Sequence, residues 1–512
     1  MTARRARAAW PAVLGPCALG AALGVALALA PAGTRAESRP RYGSQIEATL
    51  LGAPVASDPQ AAQTHAELTV AELVFDTLYR AGPFGGAAPH LAAGPPQLDA
   101  ARTTATIEIR PHVRFHDGAP LTASDVVASL ERLRTGAGSW LLPGVTAIRV
   151  LTGDSLELTL RAPVPDLELL LSMPQTAVTK GGRPPQGHVG SGAFRVEVLD
   201  PAKKLLRLRA FDDHFAGRPY LEQLELRWYD TPDGEARRFE SGAAQVSARG
   251  PGALATSVPL YREHVVEGPA ALLLYVGFGA AHPELGRSVE VRRAIDLALA
   301  RDPLKSVTSG ERVAPAREPV PAEAGGVAPT PAARGGDPAA AQAQLAAAAR
   351  TIRALEPASR SQLELEILIE DTRPDDRELA NYVAYALHGL GLRSKITALP
   401  GKTFRARTSL GQADLWIGQV AMPIASAPLW WAAAFAAGGD VAAATAAAAG
   451  TLDAAAARQQ FERKLPILPL LFRAVRLWHR TDVRGLKLDA SGRPSFADVF
   501  MHGQPVRSKT RP

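Results

Sequence analysis

Apolar residues recur along the chain with two periods, and each period predicts an element. Leu68, Ala71, Val74, Phe75 and Leu78 are spaced three or four residues apart, so they share one face of a helix predicted over 68–79. An apolar run over 46–51 precedes it as a strand, with the turn-forming Ser57-Asp58-Pro59 between them. Over 105–109 apolar residues alternate with Thr and Glu as in a half-buried strand, which Pro111 ends. Val126, Val127, Leu130 and Leu133 then form a helical stripe. Thr122 is placed to cap that helix, Asp125 lies at its amide-rich end, and Gly136 stops it. Alternation over 148–150 and 156–160 around Gly153-Asp154, and over 194–198 and 205–208 around Asp200-Pro201, predicts two hairpins. A strand over 224–228, a helix over 234–241 and a strongly apolar central strand over 272–278 complete the first part.

From about residue 280 the pattern becomes an α/β alternation. Val291, Ile295, Ala298 and Leu299 make a helix face with Arg292 and Arg293 on its wet side. Helices over 339–355 and 379–390 alternate with strands over 363–369, 394–398 and 413–420, and a strand over 467–478 is expected to break at Pro469. The alanine-rich stretch 432–457 is helical by propensity, but alanine does not specify what it packs against. The Pro-, Gly- and Ala-rich segments 82–96 and 311–337 read as surface loops, the second long enough for a binding rim.

With 512 residues, 46% of them hydrophobic and 21% charged, the chain is globular and long enough for two or three domains. Arg4, Arg5 and Arg7, an uncharged run over 10–31 and Thr34-Arg35-Ala36 form an export-signal pattern over 1–36, with a retained membrane anchor as the alternative. Cys17, the only cysteine, lies inside that segment behind Pro16, so a chain cut after Ala36 has no thiol chemistry. The same cut removes four arginines and no acids, lowering the formal charge from +7 to +3. The remaining basic residues are interleaved with acids, which argues against nucleic acid as a partner.

No glycine-flanked serine, phosphate-cradling loop, dinucleotide fingerprint or HExxH helix is present, so no catalytic residue and no cofactor is expected. His112, His116 and Asp117 flank a turn and are too few for a metal site, while Asp371, Asp375 and Asp376 read as a solvated helix start. Trp416, Trp430 and Trp431, interleaved with Met422, fit either core packing or a pocket wall.

The segment VRFHDGAPLTASDVVASLERL over 113–133 resembles the signature turn and helix of the extracytoplasmic solute-binding proteins of oligopeptide, dipeptide and nickel ABC transporters, bacterial solute-binding protein family 5. Phe115, Asp117, Gly118, Pro120, Leu121, Thr122, Asp125, Val126 and Leu130 stand where that pattern has comparable residues. VFDTLYR over 74–80, GSGAFRVEV and GRPYLEQLELRW within 190–228, VEVRRAIDLALARDPL over 289–304 and LPILPLLFRAVRLWH over 465–479 resemble further family segments in the same order.

This resemblance implies an α/β, type II periplasmic-binding-protein-like fold, with two lobes around a cleft and an extra third domain. Lobe I would comprise 37–77, 190–278 and 465–512, the extra domain 78–189, and lobe II 279–464. It implies a periplasmic, monomeric receptor that binds a peptide-like or other small solute by lobe closure and presents it to an ABC permease in the inner membrane. An envelope protein that keeps the fold as a sensor or partner-binding module is the alternative. Relatives that grip a peptide ammonium carry Trp, Asp and an aromatic residue where this chain has Gln419, Met422 and Pro423, and Gly277 replaces a frequent asparagine. The expected ligand-binding residues are Trp416, Gln419, Met422, Trp430 and Phe278, with no metal ligand among them. Without the carboxylate, a solute that is apolar or weakly polar, or a peptide held by another acid that the sequence does not identify, fits better than an unpaired buried ammonium.

Overall fold

The computed structural model describes residues 40–502, except 55–57, 63, 83–85, 137–138, 152–153, 165, 186, 250–259, 261–263, 282–287, 305–312, most of 325–363, 372, 422–425 and 490–491. The expected signal over 1–36, Cys17, Met422 and most of the 311–337 loop and 339–355 helix lie outside the described residues. What is described belongs to one compact unit, Arg41–Pro512.

The first apolar run forms β1 (Ser44–Leu51) and the first helical stripe α1 (His65–Val74), whose start carries a reciprocal capping box between Thr64 and Glu67. The helix was expected to reach residue 79 but stops at Val74. Backbone groups beyond it are claimed from afar: Gly192 N–H donates to Val74 O at 2.9 Å and Val178 N–H to Asp76 O at 2.9 Å. Gly190 and Gly192 make that approach possible, because a Cβ on either would stand 2.0 and 2.5 Å from the Val74 backbone.

The next patterns fold as read. β2 (Thr104–Glu108), β3 (Val145–Val150) and β4 (Ser155–Leu160) form a small antiparallel sheet, with a two-residue strand at Gln97–Leu98 on its edge. α2 (Ala123–Thr135) covers it with Val126, Leu130 and Leu133 fully buried. β5 (Phe194–Asp200) and β6 (Leu205–Ala210) form the second hairpin. They are followed by β7 (Leu221–Tyr229), α3 (Pro232–Glu240) and β8 (Val246–Ser247).

Two long strands dominate the rest. β9 (Val265–Phe278) and β13 (Ile467–His479) pair antiparallel along their length. Between them in sequence come α4 (Val289–Ala298), β10 (Glu364–Glu370), α5 (Pro374–Gly389), β11 (Arg393–Leu399), α6 (Gly401–Ser409) and β12 (Leu415–Ala421). The alanine-rich stretch becomes α7 (Ala427–Ala437), α8 (Val441–Ala448) and α9 (Ala454–Lys464). An 11-stranded sheet runs β11-β10-β12-β9-β13-β8-β1-β7-β6-β5, with a short strand at Val313–Pro315 also on β13. Pro469 does not end β13. The register shifts between Leu274 and Tyr275 opposite it, and the buried Arg301 guanidinium donates to its carbonyl at 2.9 Å.

The β9–β13 ribbon connects separate hydrophobic cores. One contains Ile46, Leu50, Leu73, Leu226, Trp228, Val475 and Leu477. A second contains Leu272, Leu274, Val276, Val291, Ile367, Val383, Leu415, Ile417 and Leu468. A third joins the small sheet and α2 to Trp430, Trp431 and Phe435 of α7, Phe461 of α9, and Leu273, Tyr275 and Phe472 of the ribbon. Within β9 the register shifts between Glu267 and Ala270 and again before Leu272, between the portions facing the first two cores.

Candidate functional site

Side chains alternate across a strand, so the ribbon has two faces. Leu272, Leu274, Val276 and Phe278 point to the second core, and Leu273, Tyr275 and Gly277 to the other side. On β12, paired antiparallel with β9, Leu415 and Ile417 share the first face while Trp416 and Gly418 share the second.

On that second face the aromatic residues and glycines interlock. Gly277 pairs with Trp416 and Tyr275 with Gly418. A Cβ on Gly277 would lie 2.2 Å from the Trp416 indole, and one on Gly418 would lie 2.2 Å from the Tyr275 ring. Each ring therefore lies across the glycine of the neighbouring strand. The departure from asparagine at 277 thus has a steric cause: the indole occupies the space a side chain would need. The Trp416 indole N–H donates to the Tyr275 phenol oxygen, and burial pushes the phenol's pKa upward, keeping it neutral.

Arg373, at the carboxyl end of β10, borders this pair. Its guanidinium donates to Ile417 O at 3.2 Å, lies between Glu370 and Asp376 at 3.3 and 2.9 Å, and sits 5.0 Å from the Phe404 ring centroid. Phe404, Leu368 and Trp416 form one apolar cluster. Asp376 belongs to a helix start, as expected, but it is 2% exposed, so it is a buried ion-pair partner of Arg373 and not a solvated turn residue. The result is an aromatic patch on the second face of the sheet, over the first half of β12 and the middle of β10, with one neutral phenol and one guanidinium whose charge is answered by two carboxylates.

Of the residues singled out from sequence, Trp416 lies in this patch, 8% exposed. Trp430 lies on the same side of the sheet, fully buried in α7 with its ring edge-on to Phe472 at 5.6 Å. Its indole nitrogen has no hydrogen-bond partner. Gln419 and Phe278 sit on the opposite face, both half-buried, opposite Leu274 and Leu415 respectively, and Arg292 covers the Phe278 ring at 4.8 Å. Sequence reasoning missed Tyr275 and Arg373. The first was readable as the one phenol in the apolar run LLLYVGF, whereas the second sat in a turn taken as solvated.

The HDG turn is held by protein groups. His116 Nδ1 accepts from Gly190 N–H at 3.2 Å and Nε2 donates to Gly192 O at 2.9 Å. His112 is exposed with a positive φ of 63°. A separate hollow of about 590 Å³ lies between the small sheet and α7–α8, lined in part by Arg134, Arg161, Val441 and Thr445.

Residues 86–439, more than half of the chain, match the family described as bacterial extracellular solute-binding proteins, family 5. The chain belongs to that family. A Brucella ovis protein named as an ABC transporter peptide-binding protein is 25% identical over 221 residues, 40% of this chain and 42% of that protein. The nickel-binding protein NikA of Staphylococcus aureus is 26% identical over 144 residues, 27% of this chain and 29% of its own. The matched stretches thus span less than half the length of these curated relatives.

Among solved structures, AgaA of A. tumefaciens R10 in complex with agropinic acid superposes with a TM-score of 0.72 at 17% identity, covering 91% of this chain and 100% of its own. The oligopeptide-binding protein AppA of Bacillus subtilis with a nonapeptide gives 0.71 at 14% identity, covering 90% and 100%. The fold is therefore the α/β type II periplasmic-binding-protein fold. Among the described residues no helix is long and apolar enough to cross a membrane.

Proposed function

We propose that this protein is a periplasmic receptor of an ABC importer, that it captures a peptide-like or other small, apolar or weakly polar solute by lobe closure, and that it hands the closed form to an inner-membrane permease. The observation that carries this reading is the two-strand ribbon β9–β13: it joins separately packed cores and loses its register between them, where Glu267, Ala270 and Leu272 fall out of step. A bulged two-strand connection bends more readily than a continuous sheet, and closure needs only that the solute make contacts on both lobes. In this reading lobe I comprises 37–77, 190–278 and 465–512, the extra domain 78–189 and lobe II 279–464. Solute contacts come from Trp416 and Tyr275, with Trp430 behind them; Gln419 and Phe278, on the opposite face of the sheet, do not join that patch, and Met422 is kept as a contact expected from sequence. Peptide, agropinic acid and nickel relatives support the breadth of the solute class. Arg373, already paired with two carboxylates, orients the patch and is not the main anchor for a charged solute.

Native mass spectrometry of protein taken from its own envelope would weigh a retained solute, and small-angle scattering would read closure when that solute is added back. The expected result is saturable binding with a smaller radius of gyration, weakened about tenfold, or about 1.4 kcal/mol, in Trp416→Ala. Affinity unchanged in a Trp416→Ala, Met422→Ala double variant would reject the pocket, and a stable protein partner with no bound solute would reject the receptor.

A further inference from the structure

Three residues far apart in sequence meet in a buried cluster away from the aromatic patch. Asp76 follows α1, His90 follows the short strand Ala87–Pro89, and His214 lies in the turn after β6. They are 1%, 7% and 6% exposed, and one ligating atom from each lies within 4.8 Å of the others. Asp76 Oδ1 is 2.8 Å from His90 Nε2, and Asp76 Oδ2 is 3.5 Å from His214 Nε2. Phe215 closes the site, its ring centroid 4.9 Å from that of His90 and 4.8 Å from that of His214.

The hydrogen bonds set the chemistry of this cluster. His214 Nδ1 lies 3.2 Å from Gly217 O, and a carbonyl only accepts, so Nδ1 carries the proton. In a neutral ring Nε2 is then a bare lone pair aimed at a carboxylate oxygen. Neither Asp76 Oδ2 nor His214 Nε2 has a hydrogen-bond partner, although both atoms are buried. Two facing lone pairs in a dry site require a positive charge between them.

We infer that Asp76, His90 and His214 bind a first-row divalent transition metal of the zinc class, as a structural site separate from the solute patch. Two imidazoles and one carboxylate are a ligand set for zinc, with water as the fourth ligand. His116 is not available as that ligand, because both of its ring nitrogens are bonded to backbone. Metal–ligand bonds near 2.0–2.1 Å put tetrahedral ligand atoms about 3.3 Å apart. The separations of 2.8 and 3.5 Å run to the two oxygens of the Asp76 carboxylate, and the three ligating atoms lie within 4.8 Å of one another, so occupation needs side-chain shifts of about an ångström. The His214 Nδ1 bond to a backbone carbonyl is the outer-shell contact that ligating histidines ordinarily make, fixing tautomer and ring angle. Metal would tie the end of α1, the segment after Ala87–Pro89 and the turn after β6 at one point.

The full-length protein, stripped with a chelator and titrated with zinc and separately with cobalt(II), tests this. One equivalent should bind, raise Tm by several degrees, and give with cobalt the intense visible bands of a tetrahedral site. His214→Gln and His90→Gln should lose all three signals, whereas Trp416→Ala should keep them. Failure of the unmodified protein to take up one equivalent, or a Tm indifferent to zinc, would overturn the site and leave a proton as the bridging charge. One equivalent that persists in folded His214→Gln would equally overturn it, by placing the metal elsewhere.

Discussion

At residue scale, the informative feature is glycine placed opposite an aromatic ring. Gly277 and Gly418 were visible in sequence, but only as an absence of side chain. What fills the space is a cross-strand neighbour more than a hundred residues away, and a pattern along one strand does not encode that. Trp416 was recognisable as a large apolar surface, and the packing account of it holds: it packs against Leu368 and Phe404 while covering Gly277. Replacing Gly277 by Ala puts a methyl 2.2 Å from the indole, within a well-ordered strand pair. Overpacking of this kind costs about 1–3 kcal/mol. The cost should shrink to a few tenths when the same change is made in a Trp416→Ala background, because the obstacle is then gone. Urea denaturation of the four proteins in a double-mutant cycle measures the coupling.

At element scale, most helices and strands were legible because their burial faces follow a local period. The exceptions share one cause. α1 ends at Val74, four residues before its apolar period does at Leu78, because Gly192 and Val178 claim the Val74 and Asp76 carbonyls. β13 survives Pro469 because Arg301 and a register shift accommodate it. The alanine-rich helices pack with the small sheet through Trp430, Trp431 and Phe435, a choice alanine itself does not make.

The α2 cap was anticipated in position but works differently. The Thr122 hydroxyl donates to Asp125 at 2.7 Å instead of accepting, and the same carboxylate takes the Thr122 N–H at 2.9 Å and Gly181 N–H at 2.7 Å. Asp125 therefore holds both the helix start and the chain at 181. Asp125→Ala should cost about 0.5–2 kcal/mol, more than Thr122→Ala, since it removes the acceptor of two backbone N–H groups and not only of a hydroxyl. Hydrogen exchange should show Gly181 losing protection in the Asp125 variant alone.

At the scale of the whole molecule, separately packed cores are joined, and one junction is built on imidazoles. His116 in the HDG turn connects the α2 body to the Gly190–Gly192 backbone, using one ring nitrogen as acceptor and the other as donor. That arrangement exists only for the neutral ring. Burial lowers the His116 pKa below its ordinary 6.5, outweighing the opposing pull of the Gly192 carbonyl and Asp76 and assisted by His214 and Arg195. Burial shifts His90 in the same direction. The sign follows from linkage: below 6.5 the unfolded chain binds a proton that the folded chain refuses, so stability falls as pH falls, until the depressed folded pKa is passed. Acidification from neutrality to about pH 5 should therefore loosen this junction before the cores open. Hydrogen exchange should rise first over 113–121 and 188–193, with the strands of the second core still protected. His116→Gln has no charge to gain, so it should be weaker at neutral pH by about 1 kcal/mol for an imperfectly replaced hydrogen bond, yet show a flatter decline on acidification. An equally steep decline in that variant would assign the acid sensitivity to the Asp76–His90–His214 cluster instead of to the HDG turn.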